Sequence, residues 1–182
     1  MSLGTGLGAA FCVDGNPVRV ANHSMGHIAH LPLADEGPRF QGIPRGAAES
    51  LLSGRGIVWR ALRHGLRVDS PVTLSALASS QNTAERTAAR LVWKEIGGLV
   101  GTLAALLAGL VRAERVIVGG GTAGGARWFL PAARAELKRR WPGYLGRPPE
   151  IAPASQGTWS GALGIAHLAR SEAAHPGRSV RK

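Results

Sequence analysis

A single cysteine, Cys12, stands in a chain of 182 residues. One thiol cannot build a disulfide framework, nor the thiolate set of a zinc or iron–sulfur centre. Aromatic residues make up only 5%, too few for the stacking platforms that hold single-stranded nucleic acid. No uninterrupted apolar run reaches the roughly 18 residues of a membrane-spanning helix, so no membrane partner is expected. Acidic residues are scarce as well, 11 against 22 basic ones, for a net charge of +11. The excess is arginine, 19 against 3 lysines, and it is scattered rather than blocked. A polyanion groove needs clustered charge, and no helix-turn-helix or zinc-finger pattern is visible, so nucleic acid is disfavoured as a partner. The densest run, Lys138-Arg139-Arg140, closes an expected helix, where cations face the negative end of the helix dipole.

What is present fits one domain with a real core. The N-terminus carries no basic segment followed by an apolar one, so no signal peptide is expected and a cytoplasmic address follows by default. Residues 1–170 read as a single lobe. The stretch 171–182, with Arg178, Arg181 and Lys182, reads as a disordered basic tail.

A strand is expected over Leu7 to Val13, with Cys12 as a small core residue. Asp14-Gly15-Asn16 is a hairpin turn signal, and Val18 to Ala21 the return strand. A helix is expected from Ala47 to His64. Ser70-Pro71 reads as a cap and first helical residue of a short helix, and Asn82-Thr83 opens a long one to about Ala113. Within it, Ile96 to Val111 has no charge. Gly97, Gly98, Gly101 and Gly109 favour close packing, which makes a buried core helix the expected reading. Then come a strand at Arg115 to Val118, a helix from Ala126 to Trp141, a strand at Glu150 to Ala152 and a helix from Gly161 to Arg170. The order is that of an α/β protein, a mixed sheet flanked by helices.

Three stretches carry candidate chemistry. Gly4-Thr5-Gly6-Leu7-Gly8 lets backbone N–H groups converge on an anion, with a hydroxyl from Thr5; it also reads as a tight hairpin turn. It starts so near Met1 that no element is expected before it. Val118-Gly119-Gly120-Gly121-Thr122 runs a strand into three glycines. A plain turn needs one, so the others point to close approach of a ligand beyond the strand's carboxyl end. Gly26-His27-Ile28-Ala29-His30, with Glu49 downstream, offers groups that hydrogen-bond sugar hydroxyls or bind a metal. His23, His27 and His30 lack the regular spacing of a helical zinc site.

Taken together these motifs resemble the ROK family of bacterial sugar kinases and sugar-responsive repressors. Ser2 to Gly8 followed by Val13-Asp14-Gly15 is similar to the family's second phosphate loop and its hairpin. Gly26 to His30 is similar to its Gly-Glu-x-Gly-His sugar motif. Phe40 to Glu49 followed by Ser53-Gly54 is similar to the stretch that carries zinc cysteines, then Glu and Ser-Gly. Arg115 to Thr122 resembles the adenosine motif, and Gly157 to Ala166 the C-terminal Gly-x-x-x-Gly-x-x-Gly-Ala helix. The resemblance implies an actin-like ATPase (ribonuclease H-like) fold, in which two lobes clamp ATP and a sugar. This chain corresponds to the second lobe. By that analogy Gly4, Thr5 and Gly6 hold phosphates, Gly119, Gly120 and Gly121 lie against adenosine, and His27, His30 and Glu49 bind a hexose. ATP and magnesium are the implied cofactors.

Departures from the family pattern are equally specific. The first phosphate loop, Asp-x-Gly-x-Thr, and the segment bearing the general-base Asp are absent. Asp14, Asp35 and Asp69 are the only aspartates, and none sits in such a motif. The family's sugar-binding Glu is replaced by His27, and the zinc cysteines by residues such as Ile43 and Ala47, so no structural zinc is expected. The expectation is therefore a kinase-like lobe of glucokinase or fructokinase type, without phosphoryl transfer alone. It would pair with itself or with a separately encoded first lobe. The alternatives are a non-catalytic sugar- or nucleotide-binding module and the effector-binding part of a ROK repressor.

Overall fold

The structure, a computed structural model, describes residues 1–18 and 26–174. His23, most of the expected return strand after Val18, and Arg178, Arg181 and Lys182 lie outside these residues.

The strand expected from Leu7 to Val13 is instead two short pieces, because its halves pair in opposite directions. β2 (Leu7–Gly8) folds back on β1 (Ser2–Leu3), whereas β3 (Cys12–Val13) pairs forward with β4 (Asn16–Pro17). Asp14 (φ 49°) and Gly15 (φ 77°) both take the left-handed conformation that a two-residue hairpin turn demands. Cys12 is exposed on this small ribbon rather than buried in the core.

The helix expected from Ala47 to His64 is broken into α1 (Ala48–Leu52) and α2 (Gly54–Arg63). Ser53 is extended at the break, and its hydroxyl accepts from the Gly56 N–H at 3.3 Å, capping α2 as serine favours. α3 (Pro71–Leu77) starts at the expected Ser70 cap. α4 (Thr83–Val111) starts at Asn82, whose side chain accepts from the Ala84 and Glu85 N–H groups. β5 (Arg115–Val118), a 3-10 turn over Gly121–Gly125, α5 (Ala126–Arg140) and β6 (Glu150–Pro153) follow. β5 and β6 pair in parallel, Val116 opposite Ile151, with α5 supplying the crossover that parallel pairing requires. α6 (Ser160–Ala174) extends past Arg170, where the sequence reading ended it.

The core lies between α4 and α5 and the elements around them. Trp93 and Phe129 are fully buried, their rings 5.8 Å apart and inclined at 30°, a favourable aromatic spacing. Two α4 glycines permit this approach. A Cβ on Gly97 would stand 2.3 Å from the Phe129 carbonyl, and one on Gly101 would stand 2.5 Å from that of Ala133. Gly98 and Gly109 face open space, so only two of the four glycines serve packing. α4 is long and apolar enough to cross a membrane by length and composition. Its buried stripe through Val92, Trp93, Ile96, Val100 and Leu103 joins the core cluster, as a core helix should.

The glycines give a paired prediction. Gly101→Val forces the helices apart and should cost about 2–4 kcal/mol, whereas Gly98→Ala should gain roughly 0.5–1 kcal/mol. Chemical denaturation of both variants reads the contrast.

A second prediction concerns the basic end of α5. Arg139 and Arg140 both donate to Glu136, which also receives the Thr102 hydroxyl of α4 at 3.4 Å. These bonds, led by that from Arg139 and opposed by partial burial, hold the Glu136 carboxyl down at about 2 against an ordinary value of 4.5. A lowered folded-state pKa stabilises above the unfolded value and is lost as pH falls through the folded one. Urea midpoints of the wild type and Glu136→Gln should therefore differ most above pH 4.5 and converge towards pH 2.

Candidate functional site

The N-terminal strand lies along the carboxyl end of β5. The Met1 amine donates to the Ile117 carbonyl at 2.7 Å, the Gly119 N–H to the Met1 carbonyl at 2.8 Å, and the Leu3 N–H to the Gly119 carbonyl at 2.8 Å. An element thus does precede the first glycine cluster, contrary to the sequence reading: Ser2–Leu3, anchored by a fully buried Leu3. Gly4-Thr5-Gly6 is the turn of the β1–β2 hairpin, closed by a Gly4 N–H to Gly6 carbonyl bond of 3.0 Å. Hairpin and anion loop are compatible here. The N–H groups of Thr5 and Gly6 have no acceptor among the described residues, and both residues are exposed. Adjacent unpaired N–H groups in a turn form an anion-binding concavity.

The second glycine cluster divides by position. Gly120 has φ 89°, and a Cβ there would fall 2.3 Å from the Leu3 carbonyl, so the fold itself requires this glycine. Gly119 has only ordinary clearance, and Gly121 opens onto space. The fold thus requires one of the three glycines, Gly120.

The two clusters meet across a cleft of about 510 Å³. Gly4 and Thr5 form one side, Gly121 and Thr122 the next. Thr122 is buried, and its hydroxyl has no partner among the described residues. The first turn of α2 adds Gly54 and Arg55, and Val58 follows one turn on. Gly54 is tied to the hairpin by its N–H to the Gly4 carbonyl, 2.8 Å. Asp69, Ser70, Pro71, Val72 and Phe40 complete the lining. One oxygen of Asp69 accepts from the Ser70 and Thr73 hydroxyls. These bonds, Thr73 first, hold its carboxyl below the usual carboxylate range. A Cβ on Gly6 would stand 2.9 Å from an oxygen of the Glu49 carboxylate.

Glu49 links the hairpin to the histidine loop. Its Oε2 accepts from the Leu7 N–H at 2.9 Å, while its own N–H donates to the Ala29 carbonyl at 3.0 Å. His30, next to Ala29, is exposed and its Nε2 lies 3.0 Å from the Gly42 carbonyl. His27 is exposed two residues before Ala29. The structure thus brings Glu49 and His30 onto adjoining backbone, beside the loop that carries Thr5. Among the described residues, no three His, Cys, Asp or Glu side chains converge as a metal site.

Sequence reasoning missed Arg55, Val58 and the Asp69–Val72 wall. Arg55 directly follows the Ser53-Gly54 motif, which was the one available signal. Asp69 to Val72 carried only a helix-start signature.

The stability of the junction is testable. Gly120→Ala should lose about 2–4 kcal/mol through clash and backbone strain, while Gly121→Ala stays within roughly 0.5 kcal/mol of the parent. Thermal melts of the two variants distinguish them.

Comparison with known proteins places this geometry. The model of the ROK family matches residues 1–172. The N-acetyl-D-glucosamine kinase of Yersinia enterocolitica (serotype O:8 / biotype 1B) is 30% identical over 179 residues, covering 91% of this chain and 56% of that enzyme. A ROK family glucokinase from Streptomyces griseus, solved in complex with glucose and AMPPNP, superposes with a TM-score of 0.77 at 22% identity, over 93% of this chain and 59% of that one. A ROK family transcriptional regulator, a homolog of the E. coli MLC protein, superposes with a TM-score of 0.73 at 19% identity, over 91% of this chain and 44% of that one. The chain spans about half the length of the curated relatives it matches.

Proposed function

The chain belongs to the ROK family and has the actin-like ATPase fold of ROK sugar kinases, and on that premise we propose that it is the nucleotide- and sugar-binding second lobe of an ATP-dependent hexose kinase. The observation that carries the reading is the cleft in which Gly4-Thr5 and Gly121-Thr122, from distant parts of the chain, face one another. A nucleotide needs both features: unpaired N–H groups for phosphate and a flat, side-chain-free approach for the adenosine. AMPPNP, an ATP analogue, and glucose occupy the similar glucokinase, and glucose-type sugars are the substrate class proposed here. N-acetylglucosamine is included because the sequence relative bears that name.

Under this reading the N–H groups of Thr5 and Gly6 hold the phosphates, and Gly121 leaves room for the adenosine. His27, His30 and Glu49 meet sugar hydroxyls, with Glu49 held in place by the Leu7 N–H. Glu49→Ala is expected to weaken sugar binding while removing that anchor. Magnesium enters with the nucleotide, as its counter-ion, and would shield the charge that develops on the transferred phosphoryl group.

The same geometry argues that residues 1–182 alone do not transfer phosphate. In the family pattern a sugar hydroxyl gives up its proton to an Asp, so the three aspartates are the groups to consider. Asp14 lies in the exposed β3–β4 turn and Asp35 in an exposed loop. Asp69 is on the nucleotide cleft and is held ionised by two hydroxyls, which makes it a weaker base. A first lobe, encoded separately or contributed otherwise, would supply the base; self-association is the other arrangement proposed. The setting proposed is the cytoplasm.

A coupled assay with ATP, magnesium, glucose, fructose and N-acetylglucosamine should register no turnover above background for this chain, while calorimetry detects ATP binding. Turnover would overturn the inactivity, and the lack of any nucleotide binding would overturn the cleft assignment. The similarity to a ROK regulator favours one second reading, an effector-binding lobe. It predicts sugar binding that is indifferent to ATP.

A further inference from the structure

We propose that Arg55 is the residue that neutralises the nucleotide's phosphate chain, an inference that rests on the nucleotide reading of the cleft. A triphosphate carries several negative charges, and unpaired N–H groups offer only partial positive charge against them. Among the described residues that line the cleft, Arg55 is the one cation.

Its surroundings differ from those of the arginines that the fold engages. Arg60 is paired with Glu95, Arg115 with Glu150, and Arg139 and Arg140 with Glu136. Arg86, Arg90 and Arg134 donate to backbone carbonyls, and Arg127 to a serine hydroxyl. Arg55 has neither a carboxylate nor a hydrogen-bond acceptor among the described residues. Its guanidinium lies over the Phe40 ring, 4.5 Å from the centroid. Stacking fixes the plane of the group and leaves its in-plane N–H donors open, the arrangement suited to bidentate contact with phosphate oxygens.

Position supports the same role. Arg55 is the second residue of α2, at the end where the helix dipole favours negative charge. Gly54, just before it, is hydrogen-bonded to Gly4 of the hairpin, 2.8 Å. A phosphate on the Thr5 and Gly6 N–H groups therefore lies within reach of the arginine side chain. Asp69 also lines the cleft, and its carboxylate repels phosphate, which leaves Arg55 as the group that draws the phosphates to its own position.

Arg55 is exposed, so its replacement should leave the fold intact, which circular dichroism verifies. Calorimetry with ATP and with adenosine then tests the role. Arg55→Ala should weaken ATP binding roughly 10- to 100-fold, as expected for loss of charge-assisted hydrogen bonds, and leave adenosine binding unchanged. Arg55→Lys should recover part of the loss, and added salt should weaken ATP but not adenosine in the wild type. Equal losses for both ligands, or unchanged ATP affinity in Arg55→Ala, would overturn the assignment of Arg55 alone. A wild type that binds neither ligand would overturn the nucleotide reading and this inference with it.

Discussion

The junction between Leu3 and Gly120 is the contact on which the cleft depends. Leu3 donates to Gly119, and its carbonyl sits where a side chain on residue 120 would be. Only glycine admits that approach, and only a strand pinned at Met1 and Leu3 brings the Gly4-Thr5-Gly6 turn beside Gly121. Two segments far apart in sequence are thereby held at one edge by three short backbone hydrogen bonds. Bonds of this kind each contribute about 1 kcal/mol, so the burial of Leu3 underneath them is what makes the junction durable.

A second close approach supports the first from below. Gly97 and Gly101 let α4 lie against α5, and α5 is the crossover that carries the chain from the glycine turn after β5 to β6. The direction of β5, and hence where its glycine turn opens, follows from that packing. The aromatic pair Trp93 and Phe129 fills the space beside the glycines. The tip of Trp93 lies where a Cβ on Gly125 would stand, 2.6 Å away, so the same side chain that fills the core also fixes the end of the 3-10 turn.

The basic charge takes on a distributed meaning in the folded chain. Several arginines serve the fold: they close the α3–α4 turn, as Arg86 and Arg90 do, lie over the Trp128 ring, as Arg90 and Arg127 do, or pair with glutamates. The charge of +11 is scattered along the chain rather than gathered into one run. A small anion such as a nucleotide needs much less, a pair of N–H groups and one unpaired guanidinium. The kinase-like lobe and the effector-binding lobe are alternatives that share this architecture, because a binding cleft is common to both.

Much of the fold was legible in the sequence, for local reasons. Ser70-Pro71 and Asn82-Thr83 mark helix starts because their side chains satisfy the orphan N–H groups of a first turn. Asp14-Gly15 marks a hairpin because few residues take its dihedral angles. The charge-free stretch Ile96 to Val111 of α4, the β5 strand and the spacing of the glycine clusters were readable for the same reason, and so was the family resemblance they support. Tertiary structure decided the rest. A strand split in two because its halves found different partners, and Cys12 left the core with it. Ser53 interrupted a continuous helical pattern because its hydroxyl, as a cap, outweighed propensity. Gly97 and Gly101 were distinguished from Gly98 and Gly109 only by which face met α5. Arg55 and Asp69 became walls of one cleft only when α2 and α3 were packed around the hairpin. Capping and turn chemistry act over a few residues and are written in the sequence. Which distant surfaces meet depends on the shape of the whole core, and no short stretch of sequence carries that information.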